Sequence, residues 1–145
     1  MSKDFDQTEA APRKFKLGPL GSLNQVTKGL AKTIRAMADG TSIAYDLYLP
    51  SGAMPAGGWP GVVVLHGLGG SKDSMAPIAQ VFVSHGYAAL AYSARGHGTS
   101  TGNVELAGPN EISDERAMVS FFTGLPQVSD TKVAAWGISY GGGQT

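Results

Sequence analysis

Three short apolar runs in this chain each break off into a cluster of glycines, and that arrangement constrains the fold more than any other feature. Val62-Val63-Val64-Leu65 leads into His66-Gly67-Leu68-Gly69-Gly70. Ala88 to Tyr92 leads into a loop of glycines and hydroxyls, and Lys132-Val133-Ala134-Ala135-Trp136 into Gly137-Ile138-Ser139-Tyr140-Gly141. An unbroken apolar run of this length fits a strand covered on both faces. Glycines at its end mark tight turns and close backbone approach.

Helical patterns separate the runs. Ser74 can cap a helix in which Met75, Ile78, Ala79 and Phe82 repeat at helical spacing, with Pro77 in the first turn and Gly86 as the stop. A second helix is expected from about Asn110 to Thr123, with Ile112, Met118, Val119 and Phe122 on its buried face and Gly124 and Pro126 beyond it. Strands alternating with helices give an α/β fold with a mostly parallel sheet. Upstream, 32–38 and 42–50 are joined by Asp39-Gly40, which reads as a two-residue hairpin turn. Ile43, Tyr45, Leu47 and Leu49 alternate there with Ala44, Asp46 and Tyr48, predicting a half-buried antiparallel N-terminal hairpin on one edge of the sheet. Residues 1–25, interrupted by Pro12, Gly18, Pro19 and Gly21, read as a flexible leader, and 26–145 as one domain.

Composition narrows the partners. Eleven basic and eleven acidic residues cancel, so nothing attracts nucleic acid or an anionic membrane, and a small neutral or mixed substrate fits better. There is no cysteine, which removes disulfides, thiol nucleophiles and thiolate metal sites. No histidine pair has ligand spacing on one element, so neither metal nor cofactor is expected. The start carries no apolar signal segment and no run approaches a membrane span, which makes the cytoplasm the default compartment. A nucleotide-binding module fails on spacing. In Gly67 to Asp73 the lysine does not directly follow a glycine and no hydroxyl follows it, while Lys72 or Thr101 stands where a dinucleotide motif needs its third glycine.

A serine hydroxyl is a poor nucleophile and needs exposure, a base and donors for the oxyanion. The G-x-S-x-G turn supplies exposure, because small neighbours let a strand bend sharply and lift the hydroxyl clear of the sheet. The motif occurs twice, at Gly98-Thr99-Ser100-Thr101-Gly102 and around Ser139. Only Ser139 has its strand immediately before it, so Ser139 is the expected nucleophile. The backbone N–H groups of Leu68 and Tyr140 are the expected oxyanion donors. His66 is expected to orient the first of those loops by hydrogen bonding, His85 to end a helix, and His97 to be a solvated or structural loop residue. Arg95 is expected to tie its loop to neighbouring carbonyls.

Taken together, HGLGGSKD, YSARGHGTSTG and WGISYGG, in that order from about Lys32 to Gln144, resemble the X-prolyl dipeptidyl peptidase (peptidase S15) and cocaine esterase-like branch of the α/β hydrolases. The chain departs from it at Ser93, where an aspartate is frequent, and at Leu68, where cocaine esterase-like members place a tyrosine. That leaves the oxyanion hole to backbone donors. The resemblance implies an α/β-hydrolase fold seen up to its nucleophile elbow, a serine hydrolase acting on a small-molecule ester or peptide, and a triad acid and histidine that follow the serine. His66, His85 and His97 all precede Ser139. The alternative expectation is therefore a catalytically silent fragment or a binding remnant.

Overall fold

The computed structural model describes residues 34–145; the expected leader and the domain boundary at residue 26 lie outside them. Five strands form one mixed sheet: β1 (Ile34–Ala36), β2 (Ser42–Tyr48), β3 (Trp59–Leu65), β4 (Ala88–Tyr92) and β5 (Val128–Gly137), in the order β1-β2-β4-β3-β5. Two helices, α1 (Ala76–Ser84) and α2 (Pro109–Thr123), connect β3 to β4 and β4 to β5. β3 pairs in parallel with both β4 and β5, whereas β2 runs antiparallel to β1 and to β4.

Alternation along the central strands divides the core in two. Val63, Leu65, Leu90 and Tyr92 pack with Met118 and Phe122 of α2, while Val62, Val64, Ala89 and Ala91 pack with Ala79 and Val83 of α1. The helices thus cover opposite faces, as two crossovers running in opposite directions along a sheet require. Each fully buried valine or leucine contributes about 1.5 to 3 kcal/mol relative to exposure. Gly61 interrupts the β3 run for a packing reason: a methyl group there would lie 2.6 Å from the Phe122 ring.

Four details differ from the sequence reading. First, the hairpin turn is not a two-residue one. Met37 N–H donates to the Thr41 carbonyl at 2.7 Å and Gly40 N–H to the Met37 carbonyl at 3.0 Å, so Ala38, Asp39 and Gly40 form a three-residue loop. Only Gly40, at φ +85°, is left-handed, because this loop needs one such residue and not two. Second, β2 is covered on both faces: Ile43 belongs to the α2-side core and Tyr48 to the α1-side core, where Lys72 of the turn before α1 also reaches Asp46. Third, helix entry is capped at Ser71. Its hydroxyl accepts from Asp73 N–H at 3.3 Å and starts a 3-10 turn, Lys72–Met75, that runs into α1. Ser74 is the reciprocal member of that capping box, its hydroxyl accepting from Ser71 N–H. Fourth, β5 is not a buried strand. Among the described residues it pairs with β3 alone, and Ala134 and Ala135 are exposed.

The register aligns the ends of three parallel strands: Leu65 of β3 is opposite Tyr92 of β4 and Gly137 of β5. Their exit loops leave at one edge of the sheet, at the point where the chain reverses its winding direction, which is where open α/β sheets bind ligands.

Candidate active site

Ser139 lies just beyond β5, exposed, with φ +53°. A non-glycine residue in the left-handed region costs on the order of 1 to 3 kcal/mol, so its surroundings must hold it there. The two flanking glycines show how. A methyl group at Gly137 would lie 2.4 Å from the Gly141 carbonyl, and one at Gly141 would lie 2.6 Å from the His66 carbonyl oxygen. Neither position admits any side chain. Ile138 N–H donates to the Leu65 carbonyl at 3.3 Å, and Gly141 N–H to the Ile138 carbonyl at 3.0 Å, which closes the bend. The bend runs on into a 3-10 turn, Gly141–Gly143.

The loop after β3 meets this bend. A methyl group at Gly67 would lie 3.8 Å from Ser139 Cβ, and Gly70 N–H donates to the Gly67 carbonyl at 2.9 Å in the turn that carries Leu68. Leu68 itself is 61% exposed. Among the described residues, the N–H groups of Leu68 and Tyr140 donate no hydrogen bond. The two corners singled out in the sequence are therefore adjacent.

His66 pins them from behind. It is buried, its Nδ1–H donates to the Gly67 carbonyl at 2.7 Å, and its Nε2 accepts from Ala94 N–H at 3.0 Å. Both ring nitrogens are occupied, in a neutral tautomer. Burial lowers the His66 pKa, the Gly67 carbonyl opposes that, and nearby His97 adds to the lowering. His97 is buried rather than solvated, with Nδ1 at 3.1 Å from the Arg95 carbonyl oxygen. Its ring centroid lies 4.9 Å from that of His66 and 5.6 Å from that of Tyr140, so the two histidines and the tyrosine that follows Ser139 form one aromatic cluster. His85 ends α1 as expected, with Nδ1 at 2.8 Å from the Val81 carbonyl oxygen.

The second G-x-S-x-G is structural. Ser100 is buried, its hydroxyl donates to the Ser93 carbonyl at 2.7 Å and accepts from Ala44 N–H at 2.9 Å, joining the β4 exit loop to β2. Ser93 is buried too, and its hydroxyl accepts from Lys72 N–H at 3.0 Å. Lys72 reaches the Asp46 carboxylate at 2.8 Å, so the one lysine of the glycine-rich loop is already paired.

Arg95 binds carboxylates, not carbonyls. Its Nε and an Nη donate to the two oxygens of Asp114 at 2.7 and 2.8 Å, and the guanidinium also reaches Asp39 at 3.0 Å. A guanidinium matches a carboxylate in this two-pronged way better than it matches single carbonyls. These partners lie 19 and 56 residues away in the chain, out of reach of a local reading.

The buried acidic face of α2 went unanticipated. Glu111, Asp114 and Glu115 are buried on the same face as Met118 and Phe122. A signal for it was present, since 111, 115, 118 and 122 fall at helical spacing. Glu111 is 1% exposed, and its carboxylate accepts from the N–H of Glu105 at 2.7 Å and from that of Ala107. Burial alone would raise its pKa, but these amides and the Tyr140 hydroxyl outweigh it and hold the carboxyl below its ordinary value. Among the described residues, no group of His, Asp and Glu could hold a metal ion, and no helix is long and apolar enough to cross a membrane.

Comparisons with known proteins bear on the family and the fold. The chain is 33% identical over 87 residues to the quorum-quenching protein AidA of Acinetobacter baumannii, a match covering 58% of this chain and 29% of AidA. It is 30% identical over 89 residues to the polyketide transferase grgF of a Penicillium species, covering 59% of this chain and 30% of that protein. The chain thus spans less than a third of the length of these curated relatives. The crystal structure of the α/β hydrolase GrgF superposes with a TM-score of 0.67 at 27% identity, over 79% of this chain and 39% of that one. An acetyl xylan esterase from Paenibacillus sp. R4 superposes with a TM-score of 0.67 at 23% identity, over 88% of this chain and 48% of that one, which speaks to fold alone. The fold is that of the α/β hydrolases, and the model of the X-Pro dipeptidyl-peptidase (S15) family matches residues 39–145. The chain belongs to that hydrolase family.

Proposed function

We propose that the protein is a serine hydrolase that transfers an acyl group from a small-molecule ester or amide to water, with Ser139 as nucleophile. The observation that carries this reading is the left-handed backbone of an exposed serine, held between two glycines that admit no side chain. Backbone strain of this kind persists where function requires it, and here it presents a hydroxyl at the ligand-binding edge of the sheet.

In the proposed reaction the Ser139 oxygen attacks the substrate carbonyl, and the N–H groups of Leu68 and Tyr140 receive the oxyanion. Their lack of other acceptors supports that role. The general base is not one of the three histidines here. His66 has both nitrogens engaged, His97 is buried against Arg95, and His85 lies at the end of α1. We place the triad histidine and acid in later segments of the full-length protein, in the chain order of this fold. Residues 1–145 alone would then be catalytically silent, because a serine without its base stays protonated.

Turnover of p-nitrophenyl acetate by full-length protein tests this. Ser139→Ala should lower kcat at least about a thousandfold, whereas Ser100→Ala should keep kcat while lowering the melting temperature. Equal activity of wild type and Ser139→Ala would overturn the reading.

A further inference from the structure

Leu68, Val104 and Ile138 stand one on each of the loops that follow β3, β4 and β5, and each is at least 40% exposed. A single exposed leucine or valine is ordinary on any surface, but three on loops that touch one another form a patch. The loops do touch. A methyl group at Gly67 would lie 3.8 Å from both the Ile138 side chain and Ser139 Cβ, and one at Gly98 would lie 3.2 Å from Ser71 Cβ. Within the β4 exit loop, a methyl group at Gly96 would lie 2.8 Å from the Val104 side chain. Leu68 is carried by the 67–70 turn and Ile138 by the bend whose N–H donates to the Leu65 carbonyl, so both are fixed beside Ser139.

The same loops offer no spare charge. Lys72 is paired with Asp46 and Asp73, Arg95 with Asp114 and Asp39, and the Glu105 carboxylate accepts from Asn110, while His66 and His97 are buried. A charged group brought to this edge would give up hydration without gaining a counter-charge from these loops, whereas an apolar group would cover exposed hydrocarbon. We propose that Leu68, Ile138 and Val104 form the contact surface for the acyl chain of the substrate, and that the substrate class is an ester of an uncharged, apolar acid of medium chain length.

The inference rests on the reading of Ser139 as nucleophile and adds the chemistry of the group transferred. Attack by the Ser139 oxygen forms a bond to the acyl carbon and breaks that carbon's bond to the alcohol, which leaves with the hydroxyl's proton; water then releases the acid and restores the hydroxyl. Between the two steps the acyl chain is tethered to Ser139, and its first carbons lie within reach of Leu68 and Ile138 after the alcohol has gone. The patch therefore reads the length and polarity of the acid.

Turnover of p-nitrophenyl hexanoate and p-nitrophenyl acetate by full-length protein tests this. The ratio of the two kcat/KM values within one variant divides out any loss of folded protein or of oxyanion binding. Each methylene moved fully out of water is worth about fourfold, so the four that distinguish hexanoate from acetate, half covered, should favour hexanoate on the order of tenfold in wild type. Leu68→Ala and Ile138→Ala should each cut that ratio about threefold. Val81→Ala, which removes an exposed valine on α1, should leave the ratio as in wild type. A wild-type ratio of one or less, or a ratio that neither Leu68→Ala nor Ile138→Ala lowers, would overturn the inference. Ser139→Ala is run alongside with both esters: if it stays active, the underlying reading has failed, and if it is dead while wild type shows no preference for hexanoate, only this inference has.

Discussion

At the scale of single residues, the site is governed by what the backbone cannot tolerate. Gly137 and Gly141 are there because another main chain occupies the space a methyl would need, and Ser139 is left-handed because they pin the bend on both sides. His66 makes a pH-dependent contribution to this arrangement. Its folded-state pKa is lowered, chiefly by burial, so the unfolded chain takes up a proton at a higher pH than the folded one does. The stability it adds is fully present above the unfolded histidine pKa of about 6.5 and is lost as pH falls from there through its folded value. Protonation would also remove the acceptor for Ala94 N–H. Melting curves of the full-length protein should show a loss of stability below about pH 6.5 that is reduced in His66→Gln. An identical pH profile in that variant would contradict the assignment.

At the scale of elements, what could be read in the sequence was whatever rests on local pattern. The unbroken runs of β3 and β4, the apolar stripe of α1 and the glycine stops need no distant partner to be recognised, and β4 begins and ends where the apolar run does. What escaped depends on neighbours that are far off in sequence. β2 alternates like a half-buried strand, yet its polar-side members Asp46 and Tyr48 are covered, because α1 and the Lys72 turn lie over them. β5 has the composition of a core strand but only one neighbouring strand among the described residues. The acidic residues of α2 resemble a solvated face until Arg95 and the 105–108 turn are placed against them. The Arg95–Asp114 pair ties the β4 exit loop to α2, both side chains being at most 7% exposed. Asp114→Ala would strand a buried guanidinium and should cost about 3 kcal/mol in denaturant unfolding. Asp39, 44% exposed, should matter far less when replaced by Asn. Equal losses for the two would contradict this account.

At the scale of the whole molecule, the sheet brings three strand ends into register and so sets two glycine-rich corners side by side, although 71 residues separate Leu68 from Ser139. Both motifs were legible one at a time; their adjacency is a property of the sheet order, with β5 next to β3, which no local signal encodes. Among the described residues no strand pairs with the outer edge of β5, and in the proposed enzyme the segments supplying base and acid lie beyond it. The central claim is that the hydroxyl of Ser139, and no other in these residues, attacks an acyl carbon. Treating the full-length protein with a fluorophosphonate and mapping the adduct by peptide mass spectrometry tests it most directly. The account predicts one adduct, on Ser139, absent from Ser139→Ala and weak in a polypeptide of residues 1–145. An adduct on Ser100, or labelling that survives Ser139→Ala, would contradict it.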